Sequence, residues 1–161
     1  MAQRNHILDE IDMTILATMQ EDGRITNVDL ASRAGLTAPP CLRRVRALES
    51  AGIIESYHAK LSPAALGFGI LVFAMVSLKS QAEEALRAFE AHALSLPRVR
   101  ECHMLNGEID FILKIVARDL QDFQAFLTGE LTTAPNVASV KTSLVIRTAK
   151  DAAGVPIPLG D

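Results

Sequence analysis

The chain has 161 residues, enough for one ordinary domain or two small ones and too few for an elaborate multidomain enzyme. Its 49% hydrophobic content, 4% aromatics and lack of Trp place it with compact folded proteins and away from disordered or collagen-like chains. A net charge of −3 excludes a protein that coats nucleic acid indiscriminately, because displacing counterions requires an excess of Lys and Arg.

Leu8, Ile11, Ile15 and Met19 recur at three- and four-residue spacing and predict a first helix from Leu8 to about Gln20, stopped by Gly23. Thr26 with Asp29 three residues on is a capping-box signal, and it opens a short second helix through Ala34 with Gly35 as its stop. Thr37 is the expected cap of a third helix that runs to about Ser50 and ends at Gly52. Pro39 and Pro40 are tolerated there because first-turn N–H groups have no partner inside the helix. Cys41, Val45 and Leu48 form its inward stripe, while Arg43, Arg44 and Arg46 project mostly to other faces. The tight junction from Ala31 to Thr37 matches a helix-turn-helix. Ile53 to Lys60 reads as an extended strand or wing. Between Gly23 and Lys60 the cations Arg24, Arg33, Arg43, Arg44, Arg46 and Lys60 outnumber Asp29, Glu49 and Glu55, so positive potential collects in the one stretch suited to phosphate.

Leu61 to Gly67 reads as a connector with Ser62 as cap and Gly67 as stop, which divides the chain into a helical domain over 1–60, a linker over 61–67 and a second domain over 68–161. That second domain is predicted as strand, helix, strand, strand, helix, strand over 68–79, 82–96, 98–106, 110–118, 119–133 and 137–148. Leu86, Phe89, Ala93 and Leu96 stripe its first helix, and Leu120, Phe123, Phe126, Leu127 and Leu131 its second. The echo of Pro97-Arg98-Val99 in Pro135-Asn136-Val137 suggests a doubled βαβ unit, a ferredoxin-like βαββαβ domain, so the whole chain is of α+β class. In the first strand Phe68, Ile70, Val72, Ala74, Val76 and Leu78 point one way and Leu71, Phe73 and Met75 the other; both faces are apolar, and a second copy of the chain is expected to cover the face the helices leave open.

The longest strongly apolar run, Phe68 to Leu78, falls short of the ~20 residues of a membrane-spanning helix, and Met1 to His6 lead into Asp9, Glu10 and Asp12 rather than an apolar secretory segment. A soluble cytoplasmic protein is expected. Cys41 and Cys102 are predicted to be free thiols in a reducing compartment. Cys102 and His103 are neighbours on a strand, so they face opposite ways and form no catalytic dyad. His6, His58, His92 and His103 lack metal-ligand spacing, and no metal or cofactor is expected.

The run from Gly35 through Leu36-Thr37-Ala38-Pro39-Pro40-Cys41-Leu42-Arg43-Arg44-Val45-Arg46 to Ile54, followed by Tyr57-His58-Ala59 and Leu66-Gly67-Phe68, resembles the leucine- and asparagine-responsive (Lrp/AsnC) regulators. Leu8-Asp9, Asp22-Gly23-Arg24, Gly107-Glu108-Ile109-Asp110 and Thr142 to Ile146 extend the resemblance over nearly the whole chain. It implies a winged helix-turn-helix that binds double-stranded DNA, joined to a βαββαβ domain that senses a small molecule, typically an amino acid, and forms homodimers that assemble further.

On this reading the third helix enters the major groove with Thr37, Ala38, Pro39 and Pro40 near the bases or backbone, and Arg43, Arg44 and Arg46 meet phosphates or guanine edges, their individual roles left open. Asn106-Gly107 is in itself an ordinary hairpin-turn signal. The resemblance places the effector there, with Leu105, Asn106 and Gly107 in close approach, Asp110 and Glu108 balancing an α-ammonium, and Thr142 or backbone N–H groups receiving a carboxylate. Two alternatives stand beside it. One is an enzyme like the siroheme decarboxylases of the same architecture, from which this chain departs in lacking the expected Trp-Pro-Tyr segment; the other is a DNA-binding regulator with no small-molecule effector.

Overall fold

The computed structural model describes residues 7–158; Met1 to His6 and Leu159 to Asp161, and with them the approach to the first helix and His6, lie outside the described residues. The chain divides into one unit of residues up to Lys60 together with those from Lys150 onward, and a second unit, Leu61–Ala149.

In the first unit Asp9 opens α1 (Glu10–Glu21) through a reciprocal cap. Its Oδ1 accepts from the Asp12 N–H at 2.8 Å, and Asp12 Oδ2 accepts from the Asp9 N–H at 3.3 Å. Thr26 caps α2 (Asn27–Arg33), its Oγ1 accepting from the Asp29 N–H at 3.2 Å. Gly35, at φ +67°, turns the chain into α3 (Ala38–Ser50), as the junction required. Ile15, Leu30, Ala31, Cys41, Val45 and Leu48 close the core between the three helices. Thr37 differs from its expected role. It stands at the N-cap, but its hydroxyl makes no capping bond. A capping oxygen accepts from the second or third helical N–H, and here those residues are Pro39 and Pro40, which have none.

Residues 55–60, expected as a strand or wing, have no regular secondary structure and pair in no ladder; the Tyr57 hydroxyl donates to Glu49 Oε1 at 2.8 Å and ties the segment to the end of α3. The segment from Lys150 onward, read in the sequence as the end of the second domain, groups with the first unit instead. Lys60 Nζ meets Asp151 Oδ2 at 2.8 Å, and the Gln20 amide bonds both the C=O and the N–H of Val155, at 2.8 and 3.0 Å. Such long-range side-chain pairs leave no periodic trace in a sequence.

The second unit begins with the connector, where Ala64–Leu66 make one 3₁₀ turn and Gly67 stops it at φ +81°. The strands β1 (Ile70–Leu78), β2 (Val99–Met104), β3 (Phe111–Ala117) and β4 (Val137–Leu144), with α4 (Glu83–Ser95) and α5 (Leu120–Phe126), follow the βαββαβ order. They form one antiparallel sheet in the order β2-β3-β1-β4, with Val72 opposite both Ile115 and Leu144. Val72, Ala74, Val76, Phe111, Leu113 and Ile115 pack on Phe89, Ala93, Phe123 and Phe126 beneath the helices. The Phe89 and Phe111 rings lie 4.8 Å apart. The helix predicted over 119–133 is continuous only to Phe126 and then widens into a π turn, Leu127–Leu131. Thr128, Thr132 and Thr133 there bond carbonyls four residues back, and Gly129 adds backbone freedom, so the regular ladder loosens.

Candidate nucleic-acid interface and effector loop

Helix α3 sorts its arginines by face. Arg44 is drawn back onto α1, where its Nη1 meets Asp9 Oδ2 and Asp12 Oδ1, each at 2.8 Å. The Asp12 side chain is only 4% exposed. The two carboxylates hold the guanidinium pKa above its ordinary value, Asp12 foremost, and the Asp12 N–H followed by Arg44 holds the Asp9 carboxyl below the usual range. Of the arginines assigned to DNA, Arg44 is therefore committed to the join between α1 and α3. Arg43 and Arg46 are exposed and form no ion pair among the described residues.

A three- and four-residue spacing puts Pro39, Leu42, Arg43 and Arg46 on the side of α3 opposite Cys41, Val45 and Leu48. Pro39 is exposed there, Ala38 and Pro40 are half-buried, and Thr37 keeps its hydroxyl free among the described residues. Leu42, 38% exposed, is a member of this face that the sequence reading passed over. Its signal was the one-residue offset from buried Cys41, which rotates it by about 100° out of the core stripe.

In the second unit Leu105 to Asp110 close the connection from β2 to β3, the Leu105 N–H donating to the Asp110 carbonyl at 2.8 Å. The Asn-Gly pair does not form the tight primed turn that it signals: neither Asn106 nor Gly107 has positive φ. A Cβ added at Gly107 would meet nothing within 4 Å. Leu105, Asn106, Gly107 and Glu108 are exposed, but Asp110 is 8% exposed and turned inward. Its Oδ2 accepts from the Leu78 N–H at 2.7 Å, its Oδ1 from Gln81 Nε2 at 2.9 Å, and its own N–H donates to the Val76 carbonyl. The carboxylate expected to balance an ammonium thus fastens the loop to the end of β1, with Gln81 an unforeseen partner. Thr142 is exposed on β4, the opposite edge of the sheet, with β3 and β1 between it and β2. A single copy does not bring Thr142 to the loop.

Cys102 packs toward the helix-covered core, which pushes its thiol pKa up, while His103 is exposed on the other face beside Glu101. Glu101 also takes Lys114 Nζ at 2.7 Å; that ion pair, ahead of His103, lowers its pKa. Among the described residues no helix is long and apolar enough to cross a membrane.

Both units match known families: residues 8–55 match the winged helix-turn-helix DNA-binding family, and residues 71–155 the Lrp/AsnC ligand binding domain. A leucine-responsive regulatory protein of Rhizobium meliloti is 54% identical over 150 residues, 93% of this chain and 96% of its own. A Bkd operon transcriptional regulator of Pseudomonas aeruginosa is 40% identical over 140 residues, 87% of this chain and 92% of its own. A solved Neisseria meningitidis transcriptional regulator in complex with L-Met superposes with a TM-score of 0.89 at 37% identity, covering 93% of this chain and 97% of that one. Two family matches, in the order the two units occur, and relatives aligned over nearly their full length show that the chain belongs to the Lrp/AsnC family of DNA-binding transcription regulators.

Proposed function

We propose that this regulator lays α3 in the major groove of an approximately palindromic operator, one copy to each half-site, and that an amino acid bound at the loop from Leu105 to Asp110 alters its grip or its assembly. The observation that carries the DNA contact is the sorting on α3: Arg44 is held by Asp9 and Asp12, while Arg43 and Arg46 stand free beside Pro39. Arg43 and Arg46 then meet phosphates or guanine edges, Thr37 and Ala38 approach the backbone, and Pro40 shapes the entry. Dimers formed through the open face of the sheet give half-sites about one helical turn, or a multiple of it, apart.

For the effector, the support is Gly107, where neither φ nor crowding inside the chain calls for glycine, together with the L-Met bound by the Neisseria regulator. Glu108 is the carboxylate free to balance an α-ammonium, Asp110 fixes the loop, and Thr142 serves the pocket from another copy. We read the chain as a non-enzymatic cytoplasmic regulator with no cofactor beyond its effector.

The test is a fluorescence-anisotropy titration on the DNA upstream of its own gene at two salt concentrations, with and without mixed amino acids. Sequence-preferring, salt-sensitive binding that moves with the mixture is expected. Binding without preference over random DNA would overturn the regulatory reading. Preferred binding unmoved by the mixture, with no thermal stabilisation by it, would reduce the second unit to assembly alone.

A further inference from the structure

Among the described residues the outward face of α3 has a chemistry that its arginines do not account for. A helix-turn-helix reads bases with the first turns of its second helix. Here the second and third residues of that helix are prolines, so of the first three backbone positions only Ala38 carries an N–H, and the next, from Cys41, is already given to the Thr37 carbonyl at 3.3 Å. The helix end that meets the groove is therefore poor in backbone donors. Pro39 is exposed there, and Leu42, one turn on, is 38% exposed on the same face. Arg43 and Arg46 flank the pair with free guanidinium groups, and the complementary negative surface is the phosphate backbone on either side of a major groove.

Resting on the DNA-binding reading above, we propose that Leu42, beside Pro39, reads thymine through its C5 methyl group. In the major groove only thymine presents an apolar group, whereas the other base edges present donors and acceptors that an aliphatic side chain leaves unpaired. The two cations hold the helix in register while the apolar pair selects T-bearing steps and disfavours G·C at the same place. Because Leu42 faces away from Cys41, Val45 and Leu48, its substitution leaves the core intact.

The test begins with an operator selected from random-sequence duplexes by the full-length protein. Each thymine of a half-site, with its symmetry mate, is then replaced by deoxyuridine, which removes only the methyl. Affinity is expected to fall at one such position by about fourfold per methyl, the scale of one buried methylene-sized group. In Leu42→Ala, checked for an unchanged melting curve, binding to the thymine operator weakens and the thymine-to-uracil ratio at that position falls to one. If no position distinguishes thymine from uracil, or if Leu42→Ala keeps the full ratio, the proposal is overturned. It is overturned equally if Leu42→Ala lowers the oligomeric mass and leaves the ratio unchanged, because Leu42 then contacts another copy. Failure to select any operator is a separate result and removes the DNA-binding reading itself.

Discussion

Arg43, Arg44 and Arg46 look alike in the sequence and separate only when α1 is in place, because Asp9 and Asp12 lie more than thirty residues upstream of Arg44. Arg44→Ala takes a partner from an Asp12 carboxylate that is 4% exposed, and should cost on the order of 1–2 kcal/mol in urea unfolding. Arg43→Ala and Arg46→Ala should leave the unfolding curve in place and reduce the salt dependence of DNA binding by about one released counterion per site removed. Equal destabilisation by all three would contradict the sorting. Tyr57, the single tyrosine of a chain without Trp, gives a second readout. Partial burial, the residue being still 49% exposed, and then Glu49 push its pKa up to about 12. Absorbance at 295 nm should therefore titrate near pH 12 in the folded protein, and Glu49→Gln should lower that midpoint without returning it to the ordinary value, since burial is the larger cause. The unfolded tyrosine loses its proton near pH 10, so stability falls as pH rises from there toward 12, and Tyr57→Phe should remove that slope.

At the scale of elements, the caps of α2 and α3 were open to different degrees of reading. Thr26 and Asp29 carry donor and acceptor within one turn and can be read directly. Thr37 carries the right hydroxyl but faces two prolines, and its idle cap follows from proline chemistry rather than from a motif. The strands were legible by alternation, and the buried series Phe111, Leu113, Ile115 in β3 follows it. Asp110 was not legible as a fastening, because Leu78 and Gln81 reach it across about thirty residues and an Asp in a polar loop resembles any ligand carboxylate. Asp110→Ala leaves the Leu78 N–H without its acceptor and should cost about 1–3 kcal/mol in thermal or urea unfolding. Asp110→Asn, whose amide oxygen still accepts from Leu78, should recover most of it. A full effector response in Asp110→Asn would separate fastening from ligand contact; an unchanged unfolding curve for Asp110→Ala would show the fastening to be without weight.

Across the whole molecule, the face of the sheet away from the helices is the apolar surface on which the expected assembly rests. Leu71, Phe73 and Met75 on β1 and Ile112 and Val116 on β3 are only half-buried, in register with one another, and Lys114 with Glu101 stand among them as a pair already satisfied. A second copy turned about a two-fold axis removes this apolar surface from water and meets the same rows, with each Lys114 supplied by its own Glu101. Phe73 sits between Lys114 and Ser143 in the sheet, so Phe73→Arg places a second cation next to Lys114 with no free acid beside it. Light scattering at micromolar concentration should return at least a dimer for the natural chain and a single-chain mass for Phe73→Arg. The circular dichroism spectrum should be unchanged, because the Phe89 and Phe111 packing lies on the other face. Affinity for a palindrome should then fall to that for an isolated half-site, since two copies of α3 no longer bind as one body. A natural chain that scatters as a monomer would mean that the open face is covered by something other than a second copy, and the palindromic operator would lose its physical basis.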